Sequence, residues 1–144
     1  MQQLLIEKLG SYISINNPDL LASLQESYSL RQYLEDKVEG IAPYMGSLLS
    51  EQHARHTIIE LCMARLTEEL KPSKYNYLYV IMAEEFEEAF ARFSRMGVLT
   101  YELLNMLEPC LPVFEKHGFS TANQESRELR YEITGTMVIY LEEQ

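Results

Sequence analysis

Apolar residues recur along most of the chain at the three-to-four-residue spacing of one helix face, and turn-forming residues mark where each run stops. Leu4, Leu5, Ile6, Leu9, Tyr12 and Ile13 outline a first amphipathic helix. Asn16-Asn17-Pro18 closes it, because proline disfavours helical geometry in the residue before it. Asp19 is placed to cap a short turn through Leu24. Leu30, Tyr33, Leu34, Val38, Ile41 and Ala42 predict a second helix. Pro43 cannot donate to the carbonyl of Glu39, so this helix is expected to end or kink near Ala42. Ser50 is the expected N-cap of a third helix running to about Leu70, with Ile58, Ile59, Cys62, Met63, Leu66 and Leu70 on its apolar face.

Lys71-Pro72-Ser73 makes a short connection, and Ser73 is expected to cap a fourth helix with the clearest period in the chain. Its apolar face is Tyr75, Leu78, Tyr79, Met82, Phe86, Ala89, Phe90 and Phe93, an aromatic surface suited to a core. Tyr77, Val80 and Ile81 fall on the opposite side of its first half. That end is therefore either sandwiched between two layers or exposed as a contact in a weak homodimer. Gly97 stops the helix. Leu103, Leu104, Leu107, Leu111 and Phe114 then define a fifth, with a kink expected at Pro109. Lys116, His117 and Gly118 suit its C-terminal end, and Phe119 to Ser126 reads as a polar loop.

Ile133 to Leu141 is a long uncharged apolar run. As a helix it places Leu129, Ile133, Thr136, Met137, Tyr140 and Leu141 on one face, with Tyr131, Val138 and Ile139 on the other, so it is expected to be buried nearly all round. Its β-branched residues also allow a strand, but no second strand candidate exists to pair with it. Gly135 costs a helix about 1 kcal/mol relative to alanine, a cost better tolerated where a neighbouring backbone approaches closely. The expected architecture is all-α: one domain over residues 1–144, a bundle of five or six helices around the aromatic fourth helix and an apolar C-terminal helix in the core.

A chain of 144 residues can bury a core without staples, and two cysteines, Cys62 and Cys110, read as buried or free thiols rather than a disulfide framework. No secretory leader opens the chain and no apolar run reaches membrane-spanning length, so the expectation is a cytoplasmic protein with no membrane contact. The formal net charge is −10, from six basic and ten acidic residues up to Pro72 and six basic and twelve acidic from Ser73 onward. Without a basic patch to neutralise phosphates, direct nucleic-acid binding is disfavoured, and a basic protein partner is favoured.

Chemistry-bearing clusters are few. His53, His56 and Glu60 have metal-ligand side chains at i, i+3 and i+7, on the polar side of the predicted third helix. They are the one metal candidate and carry the alternative reading, a metal- or small-ligand-binding helical protein, and a metal site would need a further ligand from elsewhere. Glu84, Glu85, Glu87 and Glu88 form the densest acidic cluster, a solvated interaction surface in which Glu88 and Arg92 are spaced to pair. Cys62 lies on an apolar face and Cys110 stands between prolines, positions of inert thiols. No nucleophile elbow, phosphate-cradling glycine loop or Cys-x-x-Cys occurs. The reading is therefore no catalytic residues, no cofactor and no enzyme.

Tyr12-Ile13 before Asn17-Pro18-Asp19-Leu20, Lys74-Tyr75, Glu85-Phe86 and above all the block from Glu132 to Glu142 carry a family resemblance. Across nearly its whole length the chain resembles a bacterial domain-of-unknown-function family of small acidic helical proteins, often carried on conjugative mobile elements. The resemblance implies a compact helical fold and a mobile-element setting, and it implies no site residues.

Overall fold

A computed structural model describes all residues from Met1 to Gln144 and contains nine α-helices, one 3₁₀ turn and no strand. The all-α expectation holds, and the apolar C-terminal run is a helix. The helices are more numerous and shorter than the periodicity predicts. They form two compact units, Met1–Lys71 and Pro72–Gln144, each with its own apolar core, where the sequence pattern alone gave one.

In the first unit, α1 (Gln2–Asn16) buries Leu5, Leu9 and Ile13, an i, i+4, i+8 stripe. It touches α2 (Pro18–Glu26), α3 (Leu30–Gly40) and α5 (Arg55–Thr67), while α4 (Ala42–Ser50) packs on α3 and α5. The α1–α2 corner falls at Asn17-Pro18 as expected. Pro18 is the first residue of α2, where its missing N–H has no partner to lose, so Asp19 lies inside the helix instead of capping it. Asn17 is pinned within the unit, its side-chain amide donating to the Leu70 carbonyl at 3.3 Å. Pro43 behaves like Pro18: the helix before it, α3, ends at Gly40, near Ala42 as expected, and Pro43 then sits in the first turn of α4. Ser50 is the last residue of α4 rather than the cap of the next helix. That cap position belongs to Ala54, and α5 gives way to a 3₁₀ turn at Glu68–Leu70.

In the second unit, α8 (Leu99–His117) is the hub, touching α6 (Lys74–Glu85), α7 (Glu87–Met96) and α9 (Arg127–Glu142). It buries Leu103, Met106, Leu107, Cys110 and Phe114. Pro109 and Pro112 lie inside it on the exposed side, where the carbonyls they leave free can meet water. Gly97 and Gly118 end α7 and α8 in the left-handed conformation, φ +72° and +60°, as the sequence predicts. Ser73 caps α6, its hydroxyl accepting from the Asn76 amide at 3.0 Å.

The C-terminal helix departs from expectation. α9 buries Leu129, Ile133 and Met137 but leaves Tyr131, Gly135 and Ile139 exposed, so it is a one-sided helix lying on the unit and not the element buried all round. No atom approaches the position of a Gly135 side chain within 4 Å, and the close backbone contact expected there does not occur inside the chain.

Candidate functional site

The predicted fourth helix is broken. Phe86, at φ −130° and ψ 52°, ends α6 and caps α7. No glycine or proline marks the break, but it falls where like charge is densest. In a continuous helix Glu84–Glu88 at i, i+4 and the i, i+3 pairs Glu84–Glu87 and Glu85–Glu88 would all repel. The break turns Glu87 and Glu88 into first-turn residues of α7, where the helix dipole favours anions, with Arg95 in the last turn. It also lets Phe86, Ala89 and Phe90 pack against the second core with Phe93 buried in it.

The same break leaves Glu84 and Glu85 at the C-terminal end of α6, where a carboxylate is unfavourable. Arg130 of α9 answers both. One of its terminal nitrogens lies 2.8 Å from Glu84 Oε2 and 3.0 Å from Glu85 Oε1, and these hydrogen bonds, Glu85's foremost, hold the guanidinium proton more tightly than usual. The four glutamates therefore divide: Glu84 and Glu85 are tied to Arg130, while Glu87 and Glu88 face solvent without an ion pair. Arg92 lies over the Phe93 ring, 5.0 Å from its centroid, and the expected pair with Glu88 does not form. Open depressions of about 280 and 290 Å³ flank Glu85, one bounded by Arg127, Arg130, Tyr131 and Thr134, the other by Glu87, Glu88, Ala89 and Arg92.

Tyr77, Val80 and Ile81 do not form a surface. Ile81 is buried, and Tyr77 meets Phe114 and Phe119 edge-on at centroid distances of 5.5 and 5.3 Å. Val80 alone is exposed, at 47 %. Of the two readings open for this side of α6, it is the layered one that occurs, because α8 and the chain after it cover the face.

His53 lies in the turn before α5, not on the helix, and its Nε2 is 3.0 Å from Glu51 Oε2. His56 and Glu60 stand on the exposed side of α5. The three residues thus do not share a helix face, and no group of three His, Cys, Asp or Glu side chains is arranged to hold a metal ion. Cys62 and Cys110 are both buried free thiols, Cys110 pushed up to about 12 by burial.

One polar cluster had no sequence signal beyond its helix-end residues. At the end of α8, Lys116 Nζ donates to Glu132 Oε1 of α9 at 3.0 Å, and His117 Nε2 lies 3.3 Å from the same oxygen without hydrogen-bond alignment. The Lys116 hydrogen bond, more than the histidine, draws the Glu132 carboxyl below the usual carboxylate range. A second cross-helix bond joins the Tyr140 hydroxyl to Glu102 Oε2 at 2.8 Å. These bonds fasten α9 to α8 and leave its outer side free.

No helix is long and apolar enough to cross a membrane. Neither the curated proteins nor the solved structures contain a match to this chain. The family model described as Domain of unknown function (DUF1896) matches residues 8–144, from the second turn of α1 through both compact units to the last residue, and the chain belongs to that family.

Proposed function

We propose that this chain is a non-enzymatic accessory protein whose acidic helical surface binds a protein with a basic surface. The observation that carries the reading is the state of its carboxylates. Glu87, Glu88, Glu108, Glu115 and Glu125 are exposed, and no cation of the chain pairs with them. They remain available to lysine and arginine side chains of another protein, and the net charge of −10 speeds the encounter by long-range attraction. The resemblance to mobile-element proteins supplies the setting, an accessory role in maintaining such an element inside a bacterial cell.

The test is capture from a lysate of the source cell at moderate salt, run beside a variant carrying Glu87→Gln, Glu88→Gln, Glu108→Gln and Glu115→Gln. A basic protein retained by the natural chain, released at high salt and lost with the variant supports the reading. Equal retention by both, or no retained protein from a well-folded sample, overturns it.

A further inference from the structure

Every fourth residue of α9, starting from its first, points outward: Arg127, Tyr131, Gly135, Ile139 and the capping residue Glu143 are all exposed. Tyr131 is 77 % and Ile139 58 % accessible, large exposures for an aromatic and a β-branched residue standing one turn either side of a glycine. Gly135 weakens the helix, and nothing in the chain approaches it. A glycine flanked by apolar residues on a helix surface lets a second backbone come close.

The ridge is also its own complement when reversed. Turned end for end about Gly135, it sets Arg127 against Glu143, Tyr131 against Ile139 and Gly135 against itself. An isologous contact requires this self-complementarity. Two helices whose i±4 ridges run alongside each other cross at about 50°, the angle of the commonest class of helix packing, and the antiparallel sense also opposes their dipoles favourably.

We propose that the chain forms an antiparallel homodimer through the outer face of α9, with the two-fold axis at Gly135. Basic first-turn and acidic last-turn residues of the two copies meet at each end, and Tyr131 of each copy packs on Ile139 of the other. The helix is about 24 Å long and crossed packing of this class confines close contact to its middle, so the contact belongs among the small interfaces, below about 1,200 Å². Glu128 and Glu142 come opposite each other in the same arrangement and hold the affinity down. The dimer is weak and depends on concentration.

Sedimentation of the full chain from about 1 μM to about 1 mM tests association. Single cysteines test the geometry, since Cys62 and Cys110 are buried and do not compete. The average mass should rise from 16.8 kDa toward twice that value. Gly135→Cys should crosslink to itself under mild oxidation. Tyr131→Cys should crosslink with an Ile139→Cys chain and not with its own copy. Gly135→Leu should weaken association at least about tenfold while its circular dichroism melt is not lowered, because the added side chain meets open space in the monomer. Arg127→Glu should weaken association, and combining it with Glu143→Arg should restore it. A mass of 16.8 kDa at every concentration overturns the proposal and leaves this face to another protein. Dimerisation without the Gly135→Cys crosslink, or unchanged by Gly135→Leu, overturns it as well.

Discussion

Replacing Gly135 by alanine should make the second unit more stable. The methyl group would meet no atom within 4 Å, so it adds neither a clash nor a buried contact, and the packing contribution is close to zero. What remains is the backbone. Glycine in the interior of an exposed helix costs about 0.8–1.0 kcal/mol relative to alanine, because the unfolded chain loses more freedom when glycine is fixed. The expected gain is therefore about 1 kcal/mol at a few micromolar protein, where the proposed weak dimer would be dissociated. In urea this moves the midpoint up by about 0.3–1 M at unchanged slope, and on heating it raises the Tm of a unit this size by about 4–8 °C. Gly10→Ala is the internal comparison. There the new methyl would stand 3.4 Å from Leu34 Cδ1, at the near edge of ordinary contact, so the same backbone gain is combined with a side-chain contact that Gly135→Ala lacks. A lowered Gly135→Ala midpoint would show that α9 is not free on its outer side and would refute the reasoning. A gain that shrinks as protein concentration rises would show a methyl group at the two-fold axis opposing the dimer.

Gly118→Ala has the opposite sign: a left-handed residue at φ +60° with a Cβ costs about 1–2 kcal/mol, read as a lower urea midpoint. Arg130→Ala removes the shared cation of Glu84 and Glu85; with all three side chains partly exposed the loss should be about 1 kcal/mol at low salt and smaller in 1 M salt, and a salt-independent loss would point to packing instead. The Cys110 thiol, pushed up from 9.0 to about 12, keeps its proton in the folded state while the unfolded chain loses it. Its contribution is intact below the ordinary thiol value and falls by about 1.4 kcal/mol per pH unit above it, so urea midpoints from about pH 8 to 10 should decline more steeply than in Cys110→Ala, and equal slopes would refute the burial argument.

Features set by a few neighbouring residues could be read before the structure. Gly97 and Gly118 end helices because only a residue without a Cβ enters the left-handed region cheaply, and Ser73 caps because its hydroxyl reaches an amide three residues on. Asn17-Pro18 turns the chain for an equally local reason. Pro43 marks the end of α3 near Ala42 for the same local reason, and the spacing did not show that a proline unable to continue one helix is equally fit to open the next. The break at Phe86 had no punctuation residue at all; it follows from crowded like charge and from a core that draws Phe93 inward. Nor could spacing reveal that Arg130, some 45 positions away, would tie down half of the acidic cluster. The pattern of α9 suggests burial all round because apolar composition does not say which of two faces finds a neighbour, and Tyr131 and Ile139 stay largely exposed.

The two proposed associations, a dimer through the exposed side of α9 and a complex through the free carboxylates, would respond to salt in opposite directions. A complex with a basic protein gains from the attraction between net charges, so it is fastest and tightest at low ionic strength. Dimerisation brings two chains of net charge −10 together, and their mutual repulsion acts over a Debye length of about 30 Å at 0.01 M but only about 8 Å at 0.15 M. The Arg127–Glu143 pairs at its ends are exposed and contribute at most about 1 kcal/mol each, too little to reverse that trend. Raising salt therefore loosens the hetero-complex and tightens the dimer. A basic partner also neutralises the charge that keeps two copies apart, so binding it should strengthen the dimer, and by thermodynamic reciprocity the dimer should hold that partner more tightly than the monomer does.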